Sequence, residues 1–333
     1  METTDLPVVL IGGSAGSVEV LKELAATLPA DLPAAVCIVV HIPQWTESKL
    51  AGILHRAGNL PAEQATQGRV LEPGGMYLAP PGLHLTFDGD TIRLMAGPKE
   101  NGHRPAIDPM FRSGADTFGP LAVGVLISGA SEDGTNGLAA LKAAGASLIV
   151  QDPEDATYPK MPESALEFVD VDFVLPASQI APAIQKTVAR LVEEKDRIRA
   201  ARTSKADLPP GADPGHPRPG RASPFTCPEC GGTLWESEDP VRPDYQCRVG
   251  HAFSSEALSE SQAVALESAM WSALRSLEEA IALSERIAKR ARARNNELTA
   301  ERYERRAARL TDQARLIRQV VIGTESQETE STR

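Results

Sequence analysis

Cysteine is scarce in this chain, and where it falls matters more than how much there is. Cys37, Cys227, Cys230 and Cys247 are the four cysteines in 333 residues. Three crowd together and one lies alone in an apolar run. In a reducing compartment such a cluster favours metal binding over disulfides. Aromatic residues are also few, at 4%, although apolar content is ordinary for a globular protein. No run approaches the ~18 uninterrupted apolar residues of a membrane span, so membrane insertion is not expected. The opening METTDLPVVL lacks a basic region followed by an apolar stretch. That argues against a secretory leader and makes a cytoplasmic location the expectation.

Positive charge is short in the front half. Residues 1–194 carry 12 Lys/Arg against 24 Asp/Glu, whereas the rest carry 22 against 21. Phosphate binding needs a basic surface, so nucleic acid is not expected as the substrate. Residues 285–318 hold 11 Lys/Arg against 5 Asp/Glu, which reads as a solvated helix face.

What is present organises the chain. Its length exceeds what one core usually holds, so two or more domains are expected. In residues 1–194, short Val/Ile/Leu runs (PVVLIGG, AAVCIVVH, LAVGVLISG, SLIVQD, DFVLP) alternate with helix-like segments such as SVEVLKELAATL and NGLAALKAAG. That alternation predicts an α/β fold, a doubly wound, mainly parallel sheet with helices on both faces. HLTFDGDTIRLMAG reads as a hairpin turning at Asp88-Gly89-Asp90. Residues 195–224 are rich in Pro and Gly and read as a flexible linker. Over 255–322, Leu266, Met270, Leu274, Leu277 and Ile281, then Tyr303, Ala307, Leu310, Ala314, Ile317 and Val321, recur three or four apart. Two helices turning at Asn295-Asn296, as a hairpin or coiled coil, would bury those stripes. Residues 323–333 have a disordered composition.

Gly12-Gly13-Ser14-Ala15-Gly16 fits G-x-S-x-G, a strand-to-helix turn that exposes a serine. A dinucleotide loop needs glycine where Ser14 stands and an acidic residue where His41 ends the second strand. A P-loop needs Gly-Lys-Ser/Thr, which is missing. The third reading is a nucleophile, and it needs a base. His41 would share with Ser14 the crevice beyond the carboxyl ends of the strands. A histidine titrates near ~6.5, so it can take and return the serine proton. Asp133, in VGVLISGASEDGTNG, is the candidate carboxylate to orient that base, although a helix N-cap would also explain it.

IGGSAGS, VVHIP, MYLAPPGLHL, HRPAIDPMF, VGVLISGASEDGTNG and MPESAL occur in the order and spacing of the CheB-type chemotaxis methylesterase family, which residues 7–192 resemble. The resemblance implies a Rossmann-like methylesterase domain. It implies hydrolysis of glutamate γ-methyl esters on chemoreceptor signalling helices, often with deamidation of their glutamines. It places the catalytic triad on Ser14, His41 and Asp133. The chain departs from the family where Ala15-Gly16-Ser17 replaces the usual Thr-Gly-Gly, and where Ala130 replaces a methionine. An oxyanion hole built from the Ala15 and Ala130 backbone N–H groups would be insensitive to both changes. His103-Arg104 and Asp108 could line the cleft or form a structural ion pair. Family members often carry an N-terminal receiver domain, and only six residues precede Pro7. A stand-alone enzyme without a fused receiver is therefore expected.

Cys227-x2-Cys230-x16-Cys247-x3-His251 has the spacing of a tetrahedral Cys3His zinc site. A structural zinc ribbon over 225–254 is expected, while catalysis needs no cofactor. Residues 255–322 would then serve self-association or docking on a receptor array. Two rival readings stand beside the esterase: a serine hydrolase or deamidase for another substrate, and a signalling adaptor whose serine site has decayed.

Overall fold

The computed structural model describes residues 5–43, 45–204, 220–237 and 244–331. The chain divides into two compact units, Met1–Leu258 and Ser259–Arg333.

The first unit is built on β1 (Val8–Gly13), β2 (Ala35–Val40), β3 (Ala62–Gln64) and β4 (Met76–Leu78). A hairpin of β5 (His84–Asp88) and β6 (Thr91–Met95) follows, then β7 (Ala122–Leu126), β8 (Ser147–Gln151) and β9 (Phe173–Leu175). Seven of these strands form one parallel sheet in the order β3-β4-β2-β1-β7-β8-β9. The three-residue strands β3 and β4 escape the apolar-run reading, β3 because two of its residues, Glu63 and Gln64, are polar. The hairpin forms where the sequence predicts it, with Gly89 at φ 61°.

Alternation along the strands divides the core. Leu10, Cys37, Val39 and Leu126 point to one face, where Phe111 and Leu138 cover them. Val9, Ile11, Ile38 and Val125 point to the other, under Leu21, Leu24 and Ile184. Both faces of a parallel sheet are thus closed by helices, as such sheets require. Helix α1 (Ser17–Thr27) shows the logic: Val20, Leu21 and Leu24 fall three and four apart and are buried. Truncating a fully buried residue such as Leu24 to alanine costs about 3 kcal/mol. The other helices of this layer are α2 (Leu50–Ala57), α3 (Ile107–Phe118), α4 (Thr135–Ala143), α5 (Lys160–Phe168) and α6 (Ala177–Ser204).

Helix α6 corrects one expectation, since it continues through Ser204 into the stretch assigned to the linker. Glu, Lys, Arg and Ala are strong helix formers, so the sequence after Leu191 extends a helix already anchored by Ile184 and Val188. The remainder of that stretch, residues 205–219, lies outside the described residues.

The same unit contains a four-stranded antiparallel meander, β10 (Arg221–Thr226), β11 (Thr233–Glu236), β12 (Asp244–Cys247) and β13 (Ala252–Ser254). Its core holds little more than Leu234, Tyr245, Phe253, Ala257 and Leu258, with Cys227 and Cys247.

Helix α7 (Ser255–Arg292) begins at the end of the first unit and makes up, with α8 (Glu297–Ser331), the second; the two helices meet at a turn where Asn295 takes φ 55°. Arg292 clasps the turn by pairing with Glu297 and Glu304. Leu274, Ala288, Ala291, Ala300, Ala307, Ala314 and Val321 are buried, whereas Leu266 is 61% exposed. Small residues rather than leucines therefore form much of the seam. Helix α8 also runs to Ser331, across the stretch predicted to be disordered. Glu and Gln propagate a helix once it is nucleated.

Candidate active site

The strand order reverses at β1, which has β2 on one side and β7 on the other. A crevice opens at such a switch point, beyond the carboxyl ends of the strands. The register sets Gly13 opposite Val40 and Gly12 opposite Leu126. The residues that follow, Ser14, His41 and the loop to Asp133, are brought to one edge. Two backbone bonds fix them there: His41 N–H donates to the Gly13 carbonyl (3.3 Å) and Ser14 N–H to the Ser128 carbonyl (2.9 Å).

The strand-to-helix turn is made by Gly16, at φ 77°, a conformation that L side chains rarely adopt. Ser17 closes the turn through its Oγ–H, which donates to the Ser14 carbonyl at 2.6 Å. Gly12 has a different task. A Cβ there would come within 2.4 Å of the Ile107 side chain, so its absence lets the start of α3 lie against β1.

His41 bridges the other two candidates. Its Nδ1 lies 3.1 Å from Ser14 Oγ, and its Nε2 lies 2.8 Å from Asp133 Oδ2. With Asp133 accepting from Nε2–H, Nδ1 is left to accept from the serine hydroxyl. Asp133 is fully buried, yet it is not the N-cap of α4; that place belongs to Gly134 at φ 96°. Its carboxylate accepts instead from the Ile107 and Asp108 backbone N–H groups and from Asn101 Nδ2–H. Ile107 and Asp108 begin α3, so the unpaired donors of a helix N-terminus face the charge. Burial alone would raise the Asp133 carboxyl. The His41 hydrogen bond and charge, with the Ile107 N–H, outweigh it and hold that group well below the usual carboxylate range.

Asp108 behaves oppositely. It accepts from Gly137 N–H (2.7 Å) and Asn101 Nδ2–H (3.1 Å). Burial, and then the Asp133 charge, push it up to about 8. His103 stacks on His41, and burial followed by the His41 charge pushes it down to about 4. Arg104 donates to the Gly97 carbonyl, while Arg112 pairs with Glu100.

Of the expected oxyanion donors, Ala15 follows Ser14 in the chain, and Ala130 follows Gly129, which packs against Ser14. Ser128 Oγ–H donates to the Ala15 carbonyl, and a Cβ on Gly129 would lie 3.0 Å from Ser14 Cβ. Gly129 N–H is committed to the Tyr158 carbonyl, whereas the Ala15 and Ala130 N–H groups have no acceptor among the described residues.

Cys227, Cys230, Cys247 and His251 also converge, their ligand atoms all within 4.8 Å of one another. Cys37 stands apart, buried in β2. Asn101 and α3 are the parts of the site that sequence reasoning missed. Asn101 shows no motif of its own, and Pro109 and Gly114 blur the helical pattern of α3.

Among known proteins, the family model described as CheB methylesterase matches residues 9–184. A Methanosarcina mazei protein-glutamate methylesterase/protein-glutamine glutaminase 2 is 33% identical over 189 residues, 54% of this chain and 52% of that protein. A Leptospira interrogans putative protein-glutamate methylesterase/protein-glutamine glutaminase is 34% identical over 174 residues, covering 52% of this chain and 90% of that protein. The crystal structure of the Thermotoga maritima CheB methylesterase catalytic domain superposes with TM-score 0.53 at 30% identity. It covers 54% of this chain and 98% of its own. The chain therefore spans about half the length of some curated relatives and most of others.

Proposed function

Because the chain belongs to the CheB methylesterase family, we propose that it hydrolyses glutamate γ-methyl esters, and deamidates glutamines, on the signalling helices of chemoreceptors. The observation that carries this reading is the unbroken relay from Ser14 Oγ through His41 to Asp133.

In this mechanism Ser14 Oγ attacks the glutamyl γ-carbonyl carbon while His41 Nδ1 takes its proton. Asp133 stays ionised and keeps the proton on Nε2, which fixes the tautomer that Nδ1 needs. The Ala15 and Ala130 N–H groups receive the developing oxyanion, a contribution of about 3 kcal/mol per donor. His41 then returns the proton to the departing methoxide, so methanol leaves. Water attacks the acyl-serine with His41 again as base, releasing the glutamate side chain. Ammonia leaves in place of methanol when the substrate is glutamine.

The Cys3His cluster is proposed as a structural zinc site. A tetrahedral zinc with ~2.3 Å Zn–S bonds sets sulfur–sulfur edges of about 3.8 Å. Cys230 and Cys247 Sγ lie 3.6 Å apart, and His251 Nδ1 lies 3.5 and 3.7 Å from Cys247 and Cys227 Sγ. The small core of the meander is the independent reason to expect a metal there. All four ligands come from the protein, which leaves the metal no open position for catalysis.

Residues 259–331 supply a helical hairpin for self-association or array docking. Among the described residues no helix is long and apolar enough to cross a membrane. The test is methanol release from methylated receptor membranes. The wild-type chain should release it and Ser14→Ala should not. Release by neither would point to another substrate or to the adaptor.

A further inference from the structure

The meander is not a separate appendage, because its last strand is bonded to the loop that supports Asp133. Ala252 follows the ligand His251 directly. Its N–H donates to the Lys99 carbonyl (3.3 Å), and its carbonyl accepts from Asn101 N–H (2.8 Å). Two residues on, Ser254 N–H donates to Asn101 Oδ1 at 3.0 Å, and Ser254 Oγ–H donates to Glu132 beside Asp133. Two side-chain pairs bound this contact, Lys99 with Glu229 (2.7 Å) and Asn136 with Asp244 (2.9 Å).

Asn101 sits at the centre of the contact. It holds φ 49°, a left-handed conformation that asparagine tolerates better than most residues. Its Oδ1 accepts from the meander, while its Nδ2–H groups donate to Asp133 Oδ1 and Asp108 Oδ2, each at 3.1 Å. One amide thus ties β13 to the carboxylate that orients His41. Two residues later His103 lies on the His41 ring. A continuous path leads from His251 through Ala252 and Ser254 to Asn101, then to Asp133 and His41.

We propose that Asn101 is a positioning residue for Asp133 and that the Cys3His module holds it in place, so that metal occupancy sets the reactivity of Ser14. The inference rests on the serine-esterase reading above. It makes the metal a condition of the triad's geometry without bringing it near substrate. Loss of the metal would release β13, because the meander's core is too small to keep that strand folded. With β13 gone, Asn101 loses its acceptor contact and its backbone anchor together.

The experiment uses the full chain, zinc-loaded or stripped by a chelator, and reads how fast a fluorophosphonate labels Ser14. A parallel proton spectrum follows the low-field resonance of His41 Nε2–H against Asp133. Circular dichroism confirms that the parallel-sheet unit stays folded. Stripping should slow labelling of the wild type about 10-fold, the usual effect of losing one hydrogen bond to a charged group, and should shift or broaden the resonance. Asn101→Gly suits the backbone at φ 49° and removes the amide. It should be equally slow when loaded, and stripping should change it less than about twofold, because the two perturbations act on one link. Asn101→Asp keeps the acceptor for Ser254 N–H but not the donors, and should be as slow as Asn101→Gly. An unchanged wild type on stripping, equal factors in wild type and Asn101→Gly, or failure of the chain to take up zinc each overturns the proposal. If the loaded wild type is not labelled at all, the esterase reading fails. The His41 resonance then still decides the coupling, which stands if stripping moves it and falls if it does not.

Discussion

The imidazole of His103 lies flat on that of His41, centroids 3.6 Å apart and planes within 10°. The stack limits rotation of the His41 ring, which must keep Nδ1 on Ser14 and Nε2 on Asp133 throughout the reaction. It requires an uncharged upper ring, because a second cation would oppose the imidazolium that forms below. Burial, and then the His41 charge, provide that by pushing His103 down to about 4. His103→Phe should therefore keep esterase activity within about twofold at pH 7, whereas His103→Ala frees the ring and should lower kcat about fivefold, in line with the ~1 kcal/mol of a ring pair. Equal activity of the two variants would show that the stack is incidental.

Asp133 makes the next prediction. Asp133→Asn preserves shape but cannot accept from every N–H now pointed at it, and it offers its own donors to His41. The wrong tautomer of His41 should result, with kcat down on the order of 10⁴-fold. Ser14→Ala should fall at least as far, and the double variant no further than Ser14→Ala, because the members of a triad act as a unit. Steady-state methanol release by the three variants checks this. A double variant much slower than Ser14→Ala would contradict a shared function.

How much of this was legible in the chain differs from part to part. Ser14, His41 and the loop of Asp133 each follow a continuous apolar strand, and short apolar runs bounded by turn residues are visible in any single sequence. The Cys3His cluster is legible for a similar reason, since its chelate pairs are local. The support for Asp133 is not local. Asn101 lies 32 residues away in chain, and α3 begins with Ile107-Asp108-Pro109, which carries no capping side chain. Helix α3 serves the site through bare backbone N–H groups, and backbone donors leave no mark in residue types. The contact between Ser254 and Asn101 spans 153 positions and is equally silent. Small residues along the α7–α8 seam explain why a reading by large apolar side chains placed Leu266 inside when it is exposed.

Asp108 predicts a pH dependence of stability. Its carboxyl is raised from an ordinary 3.8 to about 8, first by burial and then by the Asp133 charge. Between those values the unfolded chain has lost this proton while the folded chain retains it. The folded state binds more protons there, so this residue's contribution falls as pH rises through that window. Asp108→Asn keeps an acceptor for Gly137 N–H and removes the titration. Denaturant unfolding at pH 5 and pH 9 should show a larger loss across that interval in the wild type than in the variant. Parallel losses would mean that Asp108 is already ionised in the folded protein.

Ser128 ties the serine turn to the rest of the crevice. Its carbonyl accepts from Ser14 N–H, and its own N–H donates to Gln151. Its hydroxyl donates to the Ala15 carbonyl and accepts from Tyr158 N–H, both at 2.9 Å. Ser128→Ala keeps the backbone bonds and removes the hydroxyl, leaving two polar groups unpaired in a buried place. Such a loss costs about 1–3 kcal/mol, and a unit of this size loses roughly 2–4 °C in Tm for each kcal/mol. The same bond holds the carbonyl of Ala15, the residue whose N–H on the preceding peptide is proposed to meet the oxyanion, so kcat should fall about 10-fold while KM changes little. Thr86→Ala removes an exposed hydroxyl bond within the β5–β6 hairpin and serves as the control, with both quantities near wild type. A Ser128→Ala enzyme that loses Tm but keeps kcat would show that this bond serves the turn's stability and not its catalytic geometry.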